Sequence, residues 1–166
     1  MEQRFLQVIK KNQGLIHKVC SVYCDIEEDR SDLFQEIVAQ LWKSFPNFKG
    51  KSKVSTWIYR VALNTAMNYR NNSRKKRGFL QDAIGFYPDE PSTEMDSNPQ
   101  VELLYDCIAE LDEFNKAIIL LYLDGYKHDE IAEITGISKT NVGTRILRIK
   151  EQLRSKANKK QVRYGT

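Results

Sequence analysis

Apolar residues recur at spacings of three, four or seven along most of the chain, the repeat of helices that bury one side, so the expected fold class is all-α. Phe5, Ile9, Ile16, Val19, Cys20 and Tyr23 predict one long helix over residues 2–24, despite Gly14. DIEEDR breaks the pattern. Asp32, followed three residues later by Gln35, resembles a capping box, and Leu33, Ile37, Leu41 and Trp42 then share one face of a second helix. Another helix is expected from about Ser55. At about 100° per residue, Ile58, Val61, Ala62, Thr65 and Tyr69 form its apolar stripe. Thr56, Arg60, Asn64, Met67 and Asn71 fall on the opposite side.

The texture changes from Gly78 to Pro99, where Pro88, Pro91 and Pro99 accompany Asp82, Asp89, Glu90, Glu94 and Asp96 without a Lys or Arg. Residues 78–100 therefore read as a flexible acidic linker between two small helical domains, 1–77 and 101–166. In the second domain, Val101, Leu104, Ile108 and Leu111 mark one helix. Phe114, Ala117, Ile118, Leu121 and Tyr122 mark another, ended by Asp124-Gly125. A short helix from His128 to Thr135 closes at Gly136, and Ser138 caps a last helix running to about Ala157. Ala132 and Gly136 are small where two helices are expected to cross closely, and Ile137, Val142, Ile146, Ile149 and Leu153 face inward. This is a helix-turn-helix.

Charge sharpens the picture, because it is segregated. Residues 1–77 hold 15 Lys/Arg against 7 Asp/Glu, residues 78–115 hold 10 acids and no Lys/Arg, and residues 116–166 hold 11 Lys/Arg against 5 acids. Two basic blocks around an acidic one fit a polyanion contacted at two separate places. No apolar run approaches the ~18 residues of a membrane span, and MEQRFLQVIKK lacks a signal peptide's apolar core, so a cytoplasmic protein is expected. Cys20, Cys24 and Cys107 contain no CxxC pair and predict no disulfide framework. His17, Cys20 and Cys24 share a helical face, but Cys20 also lies on the apolar stripe, which favours burial over metal binding or a redox switch.

The candidate chemistry is recognition. Phe48, Lys49, Lys51, Lys53 and Trp57 lead into a helix whose polar face carries Thr56, Arg60 and Asn64, and a basic run, Arg74 to Arg77, follows. Cations suit phosphates, amides suit base edges and rings suit unstacked bases. On the last helix Thr140, Asn141, Thr144, Arg145 and Arg148 are expected to face outward, where this motif enters a major groove; Arg suits guanine there and Asn suits adenine. Lys139, Lys150, Arg154 and Lys156 suit phosphates.

Residues DLFQEIVAQLWKSFPNFKGKSKVSTWIYRVALNTAMNYR resemble region two of bacterial RNA polymerase sigma factors of the extracytoplasmic-function (ECF) group, carried by Asp32, Gln35 and Glu36, Trp42, Phe48 to Gly50, Thr56 to Ala62 and Asn64. Leu111 to Leu153 resembles region four of the same family, with one departure: Gly143 stands where many members carry a Lys or Arg after the valine. The resemblance implies a sigma factor with no cofactor and no catalytic residues. It implies that Asp32, Gln35 and Glu36 dock on a coiled coil of the largest polymerase subunit, while the flap of the second-largest subunit is a further contact. Phe48, Lys49, Lys51, Thr56, Trp57, Arg60 and Asn64 would open and read the −10 element. Ser138, Lys139, Thr140, Asn141, Thr144, Arg145 and Arg148 would contact the −35 element. An anti-sigma protein that clamps both domains is a further possible partner, and the acidic linker would thread toward the active-site cleft.

Two other functions remain open on sequence alone. A stand-alone helix-turn-helix regulator would explain residues 111–153 but leaves the Phe48 loop without a purpose. A metal-dependent nuclease would have to use Asp25, Glu27, Glu28 and Asp29, acids more simply explained as a solvated loop.

Overall fold

The computed structural model describes residues 1–72 and 98–164. The side chain of Asn71, the Arg74–Arg77 run and the linker acids Asp82, Asp89, Glu90, Glu94 and Asp96 lie outside the described residues. The chain divides into two compact units, and the described residues of both are helical.

In the first unit the stretch expected to be one helix is two, α1 (Glu2–Lys11) and α2 (Gln13–Tyr23). The break falls at Asn12 rather than at Gly14. Asn12 closes α1 by donating its backbone N–H to the Ile9 carbonyl at 3.0 Å and its Nδ2 to the Val8 carbonyl at 2.8 Å. All six apolar residues of the expected stripe are nevertheless buried, because a turn at Asn12 preserves their inward direction.

α3 (Glu27–Ser44) starts five residues before Asp32. Glu27, Glu28 and Asp29 form its first turn, where carboxylates oppose the positive end of the helix dipole, and they are therefore not an inter-helix loop. Arg30 anchors the preceding turn, donating Nε to the Cys24 carbonyl at 2.8 Å and Nη2 to the Asp25 carbonyl at 3.2 Å. A 3-10 turn, Phe45–Asn47, leads away from α3, and α4 spans Val54–Asn72. Because α4 packs against both α2 and α3, its buried arc is wider than one stripe. Trp57, Ile58, Tyr59, Ala62, Leu63 and Ala66 are buried, whereas Val61 and Thr65 sit at the edge.

The second unit begins with α5 (Pro99–Ala109), which has proline in its first turn and the Asn98 side chain accepting from the Gln100 N–H at 3.0 Å. α6 (Glu113–Leu123) is capped by Asp112, and α7 (His128–Thr135) follows the turn at Gly125. α8 (Lys139–Tyr164) is capped by Ser138, whose Oγ accepts from the Asn141 N–H at 3.1 Å. It runs one to two turns beyond Ala157. Glu110, next to the end of α5, pairs with Lys156 at 3.2 Å just before that extension and with Lys160 at 2.7 Å within it. Val142, Ile146, Ile149 and Leu153 form the inner side of α8, packed against α5, α6 and α7.

Gly136 has a different purpose from the expected close crossing. It adopts φ +78 to end α7, and a Cβ there would meet nothing within 4 Å. The requirement is therefore conformational. Replacing Gly136 by Ala should lower the stability of this unit by about 1–2 kcal/mol, and Asn, which tolerates left-handed backbone, should cost less. Thermal unfolding followed by circular dichroism measures both; equal midpoints for Gly136→Ala and wild type would contradict the assignment.

Candidate nucleic-acid interface

Five aromatic rings hold the loop between α3 and α4. Phe5 meets Trp42 edge-on at 5.0 Å and Phe45 at 5.3 Å, Phe45 lies 6.1 Å from Trp57, and Trp57 stacks on Phe48 at 4.7 Å with 23° between the rings. The chain then turns at Gly50, with φ +70, and leaves Lys49, Lys51 and Lys53 exposed. Trp57, expected to offer its ring to DNA, is only 8% exposed and forms the wall behind Phe48. Its backbone N–H bonds the Lys53 carbonyl in the first turn of α4, and the side chain leaves that turn on the core side. Phe48 is the half-exposed ring. Beyond it, Thr56, Arg60 and Asn64 follow at steps of one helical turn, the first two half-exposed and Asn64 exposed.

Asp32, Gln35 and Glu36 occupy the body of α3 rather than its first turn. Asp32 and Glu36 are half-exposed, one turn apart on one face, and Glu36 Oε1 accepts from Gln40 Nε2 at 3.0 Å. Gln35 points inward and is buried.

Ser138, the cap of α8, and Lys139, Thr140, Asn141, Thr144 and Arg148 in its N-terminal half are exposed. Arg145 is half-buried: its guanidinium lies 5.0 Å over the Phe114 ring and bonds the side chains of Asn115 and Asn141, each at 3.3 Å. Two expected phosphate contacts are also engaged within the unit. Lys150 donates to the Tyr122 hydroxyl at 2.8 Å and sits over its ring, and Lys156 pairs with Glu110. Lys139 and Arg154 are exposed. Gly143 is the close approach in this motif: a Cβ there would lie 3.5 Å from Nδ1 of His128. Alanine would fit by ordinary contact, while a long side chain would have to pass the imidazole.

Sequence reasoning missed the partners of these cations. Asp112-x-x-Asn115 is a capping pattern that could have drawn attention to Asn115, but nothing local joins it to a residue thirty positions later.

Residues 8–76 match the family Sigma-70 region 2, and residues 102–153 match Sigma-70, region 4. The chain is 33% identical to the ECF RNA polymerase sigma-E factor of Haemophilus influenzae, over 93% of this chain and 88% of that one. It is 30% identical to the sigma-E factor of Escherichia coli K12, over 84% and 81% of the two chains. The chain belongs to the ECF sigma factors. Among solved structures, the sigma factor RpoE of Bartonella quintana, in complex with the anti-sigma factor NepR, is similar at a TM-score of 0.68 and 17% identity, covering 94% of this chain and 98% of that one. CnrH, in complex with the cytosolic domain of CnrY, is similar at 0.63 and 19%, covering 93% and 88%. At those identities they speak for the fold.

As an ECF sigma factor the protein directs RNA polymerase to promoters and is non-enzymatic, which replaces both the nuclease and the stand-alone regulator readings. No described helix is long and apolar enough to cross a membrane.

In the sigma factor, His17 stacks on Phe34 at 4.5 Å, and burial lowers its pKa. Among the described residues no group of His, Cys, Asp and Glu could hold a metal ion. Burial raises the pKa of the Cys20 thiol far above its ordinary value, so the thiol stays protonated at neutral pH and the reactive thiolate is withheld. Cys20 should react with iodoacetamide at least ~10-fold more slowly in the folded chain than after denaturation. Peptide mapping by mass spectrometry reads the difference, and equal rates would show that the site is open.

Proposed function

We propose that the first unit of this sigma factor both docks on core polymerase and opens the −10 element, while the second reads the −35 element. In this reading Asp32 and Glu36 meet a coiled coil of the largest subunit, with Gln35 packed behind them, and the flap of the second-largest subunit carries the second unit. The factor works in the cytosol, and an anti-sigma protein, as NepR is for the similar RpoE of Bartonella quintana, is a further partner.

The observation that carries the −10 assignment is the continuity of one polar face. The ring of Phe48, backed by Trp57, and the exposed Lys49 and Lys51 run directly into Thr56, Arg60 and Asn64. A protein that melts DNA without ATP must offset the few kcal/mol needed to unstack each base. A base stacked on an aromatic side chain recovers about 1–3 kcal/mol. Lysines nearby hold the displaced backbone, and the Asn64 amide supplies both a donor and an acceptor for an exposed base edge. On α8, Asn141, Thr140, Thr144 and Arg148 would face the bases of the −35 element, with Ser138 and Lys139 at the helix start toward the phosphates.

Two variants separate docking from reading. Asp32→Lys/Glu36→Lys should weaken association with core polymerase at least about tenfold without lowering the unfolding midpoint. Asn64→Ala should leave core affinity unchanged and flatten the base preference at one −10 position. Undiminished core affinity in the charge-reversal variant would sink the docking assignment, and an unaltered −10 preference in Asn64→Ala would sink the reading assignment.

A further inference from the structure

We infer that Phe114 and Asn115, on α6 outside the helix-turn-helix, are positioning residues for −35 recognition: they hold Arg145, and through it orient the amide of Asn141. The inference rests on the proposed role of Asn141 at the bases and adds the reason that its amide faces them in one sense.

The four polar side chains form a chain in which each partner's chemistry dictates the direction of the next bond. Asp112, the cap of α6, can only accept. One carboxylate oxygen takes the Asn115 N–H at 2.9 Å and the other takes Asn115 Nδ2 at 2.6 Å. With its amide nitrogen held there, Asn115 turns its oxygen toward Arg145 and accepts from Nη1 at 3.3 Å. Arginine can only donate, so Asn141, bonded to Nε at 3.3 Å, presents its Oδ1 to the guanidinium. Phe114 lies 5.0 Å below the guanidinium and keeps that plane in place.

The consequence falls on Asn141. The terminal torsion of an asparagine is broad and two-fold, so an isolated exposed amide offers either edge to a base. Reading adenine requires donation to N7 and acceptance from N6 together, which a flipped amide cannot provide. An oxygen fixed toward Arg145 retains its second lone pair, and Nδ2 is the group of the amide left to donate to a base. Arg145 thus acts as the strut, in place of the guanine-reading role that its residue type alone suggests.

The test uses the full chain bound to core polymerase and a pool of promoter fragments randomised through the −35 element, with bound fragments sequenced. Asn141→Ala should flatten the base preference at one position. Asn115→Ala should reduce the preference at that same position by about threefold or more, leaving other positions and the unfolding midpoint unchanged. Asp112→Asn/Asn115→Asp reverses the first link yet still gives Arg145 an acceptor, and should restore the preference to within about twofold of wild type. Selective loss with rescue supports the inference. A preference untouched by Asn115→Ala, a uniform loss at every position, or a double variant as flat as Asn115→Ala would overturn it. If Asn141→Ala flattens no position, the reading of Asn141 fails first and the inference falls with it.

Discussion

The packing of Phe5 between Trp42 and Phe45, continued through Trp57 to Phe48, is the constraint on which the rest of the first unit depends. It is the place where α1, α3, the 3-10 turn, the following loop and α4 meet. The loop itself has little to hold it, since Lys49, Gly50, Lys51 and Lys53 are all exposed and mutually repulsive in charge or empty of side chain. Rings at both ends fix its path. Fully burying a side chain such as Phe5 contributes about 1.5–3 kcal/mol, which helps keep a cationic segment folded onto a core while its charges stay in water. The same packing leaves Phe48 half-exposed and stacked on Trp57, next to a helix that presents Asn64.

In the second unit the equivalent constraint is polar. Cations on α8 divide into those committed to the scaffold and those turned outward. Lys150 is tied to Tyr122, Arg145 to Phe114 and Asn115, and Lys156 and Lys160 to Glu110, so the long last helix is fastened to α5 and α6 at three levels. The Glu110 pairs are exposed, and such pairs contribute only about 0–1 kcal/mol, so their value lies in fixing where α8 sits rather than in overall stability. They hold the carboxyl of Glu110 below its ordinary pKa. The tie is present at neutral pH and weakens as acid protonates Glu110 through that depressed pKa.

Much of this was legible in the sequence. Helix periodicity located the helical stretches, with α1 and α2 run together as one, and Ser138 and Asp124-Gly125 marked boundaries found in the structure. Two helix boundaries were not legible. Asn12 interrupts a pattern whose apolar spacing continues through it, and the start of α3 at Glu27 was hidden because acids in a first turn look locally the same as acids in a loop. Side-chain direction was also hidden where two helices cover a third: Trp57 lies between the polar and apolar faces of α4, and only the ring of Phe48 above it decides that it is a wall. Arg145 follows the same logic. Its outward helical phase was readable, but Phe114 and Asn115, which hold it, lie on another helix about thirty residues earlier. Gly136 was recognised as a helix end, yet its left-handed backbone, rather than a close crossing, accounts for it.

On the proposed reading this sigma factor opens promoter DNA only as part of a polymerase complex. Permanganate probing of unpaired thymines tests it most directly, using a pool of promoter fragments with the chain alone, with core polymerase alone and with both. Reactive thymines confined to the −10 region and present only when both proteins are added would bear out the account. Specific binding to duplex DNA by the chain alone, with no reactive thymines in any mixture, would contradict it.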